Sequence, residues 1–185
     1  MLSDLLSFLK QPIYQEDDNT QWAYRWYYLL HLTLLALGVS IFIGLCTGIL
    51  QSALGLNLGE HALEEWLDDY SPLGLAFMAV IVAPFLEELV FRGPLLWFRN
   101  SRHFKVVFYI MALLFGYVHI SNFEMSYQVM ALSPLLVAPQ ISVGLLLGTI
   151  RVKFGLLWSM AMHGLYNLVL TAPMVLLKLV NIPLE

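Results

Sequence analysis

Long apolar runs separated by short polar or charged turns dominate this chain. Within the first ten residues, Leu2, Leu5, Leu6 and Leu9 fall on one helical face, which predicts a short amphipathic helix lying on a membrane surface. An acidic, polar stretch (residues 15–21) leads into Trp22, Tyr24, Trp26, Tyr27 and Tyr28, an aromatic belt of the kind found at bilayer interfaces. Apolar spans are then expected at residues 28–50, 73–98, 106–120, 127–150 and 154–180. A bilayer crossing needs about 20 mostly apolar residues, and most of these runs meet that length. Gly38, Gly44 and Gly48 suggest close helix contacts in the first span. Pro134 and Pro139 should break or kink the first half of the fourth, and Pro173 should bend or divide the fifth. The expected fold is all-α: a polytopic transmembrane helix bundle of about five to six membrane segments. Residues 1–185 form one integral membrane domain, with 1–27 as an N-terminal interfacial segment and 73–171 as the core that carries the chemistry.

Composition agrees with that reading and narrows the partners. The chain is 59% hydrophobic and 12% charged, far outside the range of soluble domains. So few Lys and Arg exclude nucleic acid, leaving the lipid bilayer as the certain partner. The single cysteine, Cys46, rules out an intrachain disulfide and any cysteine metal cluster. Residues 51–71 carry Glu60, Glu64, Glu65, Asp68 and Asp69 with no Lys or Arg, whereas Arg99, Arg102, Lys105 and then Arg151, Lys153 make basic turns. The positive-inside rule places the N-terminus and both basic turns in the cytoplasm. The small size points to a prokaryotic plasma (inner) membrane.

Against this background a few polar residues inside the spans stand out: Glu87, Glu88 and Arg92, then His119, then His163 and Asn167. Ionisable groups at membrane depth cost a few kcal/mol each even on the mildest scale, and they usually face a protected interior. At ~1.5 Å per helical residue, Glu87 lies ~18 Å from Arg99, His119 ~21 Å from Lys105, and His163 and Asn167 ~15 and ~21 Å from Lys153. Three helices therefore bring their polar groups to one depth. Glu88 and Arg92 have the spacing and order of a helical ion pair, with Arg92 holding Glu88 rather than acting on substrate. Glu87 points ~100° away around the helix and is free for other work. Pro84 and Pro94 each remove an intrahelical hydrogen bond beside this cluster.

Such groups suffice for amide hydrolysis. A carboxylate paired with a histidine can take a proton from water, and a second histidine and an amide N–H can donate to the oxyanion. Other readings use the same residues. Glu87, His119 and His163 form a sensible zinc set, although the helical His-Glu-x-x-His signature is missing. A proton-coupled carrier would use Glu87 and the histidines as a relay, but inverted repeats are not evident. A non-enzymatic immunity or regulatory membrane protein is the remaining class. Individually, these residues could also be a structural ion-pair network or interhelical hydrogen-bonding glue. His31, His61 and His103 lie near interfaces or in polar turns and receive no role.

The motifs themselves are specific. Glu87-Glu88-Leu89-Val90-Phe91-Arg92, Phe115-Gly116-Tyr117-Val118-His119 and His163-Gly164-Leu165-Tyr166-Asn167 occur in order, each on its own hydrophobic segment. They resemble the three motifs of the CAAX protease and bacteriocin-processing (CPBP, or Abi) family, whose eukaryotic member is the Ras-converting type of CAAX prenyl protease. The resemblance implies an intramembrane glutamate endopeptidase that cleaves a peptide bond near the membrane. It implies that Glu87 and His119 activate water, that His163 and Asn167 stabilise the oxyanion, and that Glu88 and Arg92 support them. It implies no cofactor, with zinc as the alternative, and a peptide or protein substrate, lipidated or not.

Overall fold

The computed structural model describes residues 1–56, 58 and 71–180. The expected acidic loop, with Glu60, Glu64, Glu65, Asp68, Asp69 and His61, lies outside the described residues. The elements are α1 (Leu2–Lys10), α2 (Trp22–Leu54), α3 (Pro72–Phe77), a π-helical turn (Met78–Val82) and α4 (Ala83–Phe91). They continue through a 3₁₀ turn (Gly93–Leu96), α5 (Phe104–Val118), a second 3₁₀ turn (His119–Asn122), α6 (Tyr127–Leu136), α7 (Ala138–Phe154) and α8 (Leu156–Leu179). Among the described residues, five stretches are long and apolar enough to cross a bilayer: Trp22–Leu54, Pro72–Leu96, Phe104–Asn122, Tyr127–Phe154 and Leu156–Leu179. The fold is thus an all-helical membrane bundle, because only intrasegment hydrogen bonds satisfy a backbone in hydrocarbon.

At the centre stands α7. Val143, Gly144, Leu146, Leu147, Gly148, Thr149 and Ile150 are all buried, so the helix is covered on every side. Leu29, Leu32 and Ala36 of α2 and Met162 of α8 join Leu147 and Ile150 in one core. Side chains such as Ile41, Phe42, Ile49, Phe77, Ile81 and Val106 cover the outside and remain exposed, as a lipid-facing surface requires.

Small residues set the closest helix contacts, at positions other than those expected. A Cβ on Gly38, Gly44 or Gly48 would meet nothing within 4 Å, so the expected role of these glycines in close contacts within this chain is not found. The tight approaches fall elsewhere. A Cβ on Gly116 of α5 would collide with Ile141 of α7, and one on Gly164 of α8 would lie 2.7 Å from the Val80 carbonyl oxygen.

The proline expectations hold in part. The fourth apolar run does break, but at Val137, with Pro139 in the first turn of α7, while Pro134 is accommodated inside α6. Pro139 fits there because the first-turn N–H groups have no intrahelical partner to lose. Pro173 does not divide α8, which continues to Leu179.

The N-terminal helix packs one face against the bundle. Leu5 is buried in the core, and Phe8 meets the edge of Phe108 at 5.4 Å between ring centroids. Leu2 and Leu6 stay exposed, so the predicted leucine face is shared between protein and surroundings. Tyr109 donates to the Leu9 carbonyl, and Lys105 Nζ donates to the Lys10 carbonyl at 2.8 Å. Farther along, Asp17 N donates to the Lys153 carbonyl at 3.0 Å, and the Asp17 carboxylate pairs with Lys153 Nζ at 3.6 Å. The N-terminal segment, Lys105 and Lys153 therefore share one end of the bundle. Arg151, grouped by the sequence with the basic turn, is instead buried in the last turn of α7. There its Nε donates to the Arg92 carbonyl at 3.3 Å and its Nη1 to the Tyr14 hydroxyl at 3.2 Å.

Candidate active site

The site begins with a break in a helix. In the π-helical turn, the Ala83 N–H reaches back five residues to the Met78 carbonyl instead of four to Ala79. The next N–H in that register would belong to Pro84, which has none. The Ala79 carbonyl is thus left without its backbone donor, and Asn167 Nδ2 on α8 donates to it at 2.8 Å. Since a carbonyl only accepts, this contact fixes which end of the Asn167 carboxamide faces Ala79 and leaves its second N–H free. Gly164, one turn earlier on α8, supplies the closeness the contact needs.

Beyond the break, α4 points its two carboxylates in different directions. Glu88 is fully buried. Its Oε1 forms an ion pair with Arg92 Nη1 at 3.1 Å and accepts from His163 Nδ1 at 3.0 Å, and its Oε2 accepts from Ser159 Oγ. Arg92, also buried, stacks over the Phe115 ring at 3.9 Å, and its Nη2 donates to the Gly144 carbonyl at 3.4 Å. The expected Glu88–Arg92 pair is therefore present, held by contacts from α5, α7 and α8.

Glu87 faces a cavity of about 280 Å³ that is also lined by His119, His163 and Asn167. Its Oε2 is buried without a hydrogen-bond partner, 3.7 Å from His163 Nε2 and 4.0 Å from His119 Nε2. Those separations are too long for direct hydrogen bonds and leave the carboxylate available to a third group.

Each imidazole has one nitrogen committed. His119 begins the 3₁₀ turn after α5, and its backbone N–H turns to the Gly116 carbonyl. The Phe115 carbonyl, left over by that tightening, accepts from His119 Nδ1–H at 2.7 Å. In the neutral ring, Nε2 then carries the lone pair toward the cavity. His163 Nδ1–H is held by Glu88, so its ring also shows Nε2 to Glu87.

The structure thus brings together all four residues expected at the centre, Glu87, His119, His163 and Asn167, with Glu88 and Arg92 behind them. Ser159 was not anticipated. It lies one and two turns before His163 and Asn167 on the same face of α8, fully buried, and its Oγ is also 3.1 Å from the Leu147 carbonyl. The four-residue spacing was the available signal. Gln140, on the cavity wall, was missed as well. Among the described residues, no three His, Cys, Asp or Glu side chains converge as metal donors. His31 Nδ1 bonds the Tyr27 carbonyl at 2.7 Å, and His103 lies beside Arg102, both remote from the cavity lining.

Comparisons with curated proteins and with solved structures return no match. A family model does match. It is described as type II CAAX prenyl endopeptidase Rce1-like and spans residues 69–169, more than half of the chain and every residue of the three motifs. Together with the five stretches among the described residues that are long and apolar enough to span a bilayer, that match identifies an integral membrane protein of the CAAX endopeptidase type. The chain belongs to the Rce1-like family of type II CAAX prenyl endopeptidases.

Proposed function

We propose that this protein is a glutamate endopeptidase that hydrolyses a peptide bond at membrane depth with water as the nucleophile. The observation that carries the reading is the unpartnered Glu87 oxygen, buried and set between two imidazole Nε2 atoms at 3.7 and 4.0 Å. A water in that gap gives one proton to Glu87 and one hydrogen bond to the lone pair of His119 Nε2. Its oxygen attacks the scissile carbonyl carbon. The oxyanion accepts from His163 Nε2–H, in a ring backed by Glu88, and from the free N–H of Asn167. The proton on Glu87 then passes to the leaving amine as the tetrahedral intermediate collapses.

The substrate is a peptide or protein segment, lipidated or free, presented from the bilayer. The basic end faces the cytoplasm under the positive-inside rule, in keeping with a prokaryotic plasma membrane. No step is routed through a metal. Tetrahedral zinc would set its ligand atoms about 3.4 Å apart, closer than the two Glu87–imidazole separations. Asn167, with its N–H groups directed by Ala79, suits an oxyanion better than a cation.

The test is cleavage of a labelled CAAX-type peptide by the protein in vesicles, with Glu87→Gln and His119→Ala beside it and with a chelator in parallel. The expected outcome is a loss of about 10²–10⁴-fold in each variant, with chelation leaving the wild type active. Full cleavage by Glu87→Gln overturns the role of Glu87, and loss on chelation restored by zinc moves the mechanism to a metal.

A further inference from the structure

The cavity has a polar wall that the hydrolytic chemistry does not use. Gln140 stands in the first turn of α7 and lines the same cavity as Glu87, His119, His163 and Asn167. Its Oε1 is shut off from solvent and has no hydrogen-bond partner among the described residues. Buried side-chain amides are normally satisfied, and Asn167 in this same cavity is satisfied through Ala79. The place of Gln140 is also fixed: one turn farther along α7, the Gly144 carbonyl is held by the Arg92 guanidinium. A buried acceptor kept unpaired on a rigid element beside the reacting groups implies that its donor arrives with the ligand.

The geometry points to Gln140 as a substrate-binding residue whose carboxamide takes up a backbone N–H of the bound peptide next to the scissile bond. The inference rests on the hydrolytic reading and adds to it how the peptide is held. A carboxamide presents an acceptor and a donor in one plane, the complement of the N–H and C=O of an extended peptide unit. The cavity, at about 280 Å³, suits a short extended segment, being slightly smaller than typical small-molecule sites. Register of the peptide relative to Glu87 is then set by main-chain contact, independent of the side chains it carries.

The experiment measures binding rather than turnover, so that it is separate from the catalytic assignment. Glu87→Gln protein in nanodiscs, with and without Gln140→Met, is titrated with a fluorescent peptide ending in a CAAX sequence. It is also titrated with its depsipeptide counterparts, in which single backbone N–H groups are replaced by ester oxygen. The expected result is a 5–10-fold weaker Kd for the amide peptide on Gln140→Met. One ester position should cost the parent the same factor and cost Gln140→Met nothing further. Thermal stability of Gln140→Met should be equal or higher, because an unsatisfied acceptor has been removed. Unchanged affinity for the amide peptide overturns the inference, as does equal weakening toward amide and ester peptides. Should Gln140→Met fail to fold, uniform affinity of the parent for every ester overturns it as well. Failure of wild-type cleavage, by contrast, bears on the hydrolytic reading alone.

Discussion

Asn167 closes the backbone break at Ala79: its Nδ2 donates at 2.8 Å to a carbonyl that the π turn and Pro84 leave without a donor. One side chain therefore repairs a helix and lines the cavity beside Glu87. Replacement by alanine should act on both. The orphaned carbonyl costs about 1–3 kcal/mol, a drop of several degrees in melting temperature. Loss of the proposed oxyanion donor should lower turnover about 10²–10³-fold. Melting and cleavage measured on one preparation separate the two: a lower melting temperature with intact turnover would remove Asn167 from the chemistry.

Ser159 gives the second test. It donates to the Glu88 oxygen that neither Arg92 nor His163 contacts. Ser159→Ala leaves that oxygen without its partner in a fully buried setting, which should cost about 1.5–3 kcal/mol of the order around His163. Cleavage should fall about 10-fold or more, and Ser159→Thr should recover part of it by restoring a hydroxyl. Equal activity of the alanine and serine proteins would deny Ser159 any part in positioning His163.

Glycine substitutions should sort cleanly by what a methyl group meets. Gly164→Ala drives a Cβ to within 2.7 Å of the Val80 carbonyl oxygen and must push α8 away from the π turn. A loss of about 1–3 kcal/mol in stability, with cleavage reduced alongside, is expected. Gly44→Ala enters open space and should be neutral or slightly stabilising, by up to about 1 kcal/mol. Detergent-resistance melting curves of the two variants check the contrast.

The tie between the N-terminal segment and α7 carries a pH signature. Burial pushes the Asp17 carboxyl upward, but the Asn19 N–H, the Tyr24 hydroxyl and the Lys153 ammonium outweigh it and hold Asp17 below the usual carboxylate range. A group depressed in the folded state stabilises it fully above its unfolded pKa, near 3.9. That contribution is lost as pH falls through the lower folded value. Asp17→Asn should lower the melting temperature by about 1–2 °C at pH 6, and the difference should shrink as pH falls below about 4 and vanish below the folded value. A difference that persists there, or grows, would assign the effect to something other than the charge.

Much of this arrangement was readable before coordinates, for reasons that differ by element. Lipid imposes long apolar runs, so the five spans were visible from hydropathy alone. Charges at membrane depth are rare enough that Glu87, Glu88 and Arg92 declared themselves, and a common depth drew in His119, His163 and Asn167. Ser159 did not, because a serine in an apolar helix costs little until a neighbour such as Glu88 is known. The glycines misled for a similar reason: Gly44 and Gly48 face open space here, while Gly116 and Gly164 face protein, and spacing alone looks the same in both cases. The π turn has no local signature beyond Pro84; its consequence is legible only when Asn167 is seen filling the gap.

One arrangement within α4 bears on how the chain enters the bilayer. Glu88 and Arg92 sit four residues apart on a single segment, in contact at 3.1 Å. Their mutual neutralisation is therefore available while the ribosome has yet to make α8, with its serine and histidine. A guanidinium delivered to hydrocarbon by one segment and answered only by a later one would cost about 2.5–3.5 kcal/mol until its partner arrived. Here the guanidinium has its carboxylate on the same segment, and the imidazole of α8 adds a second contact to Glu88.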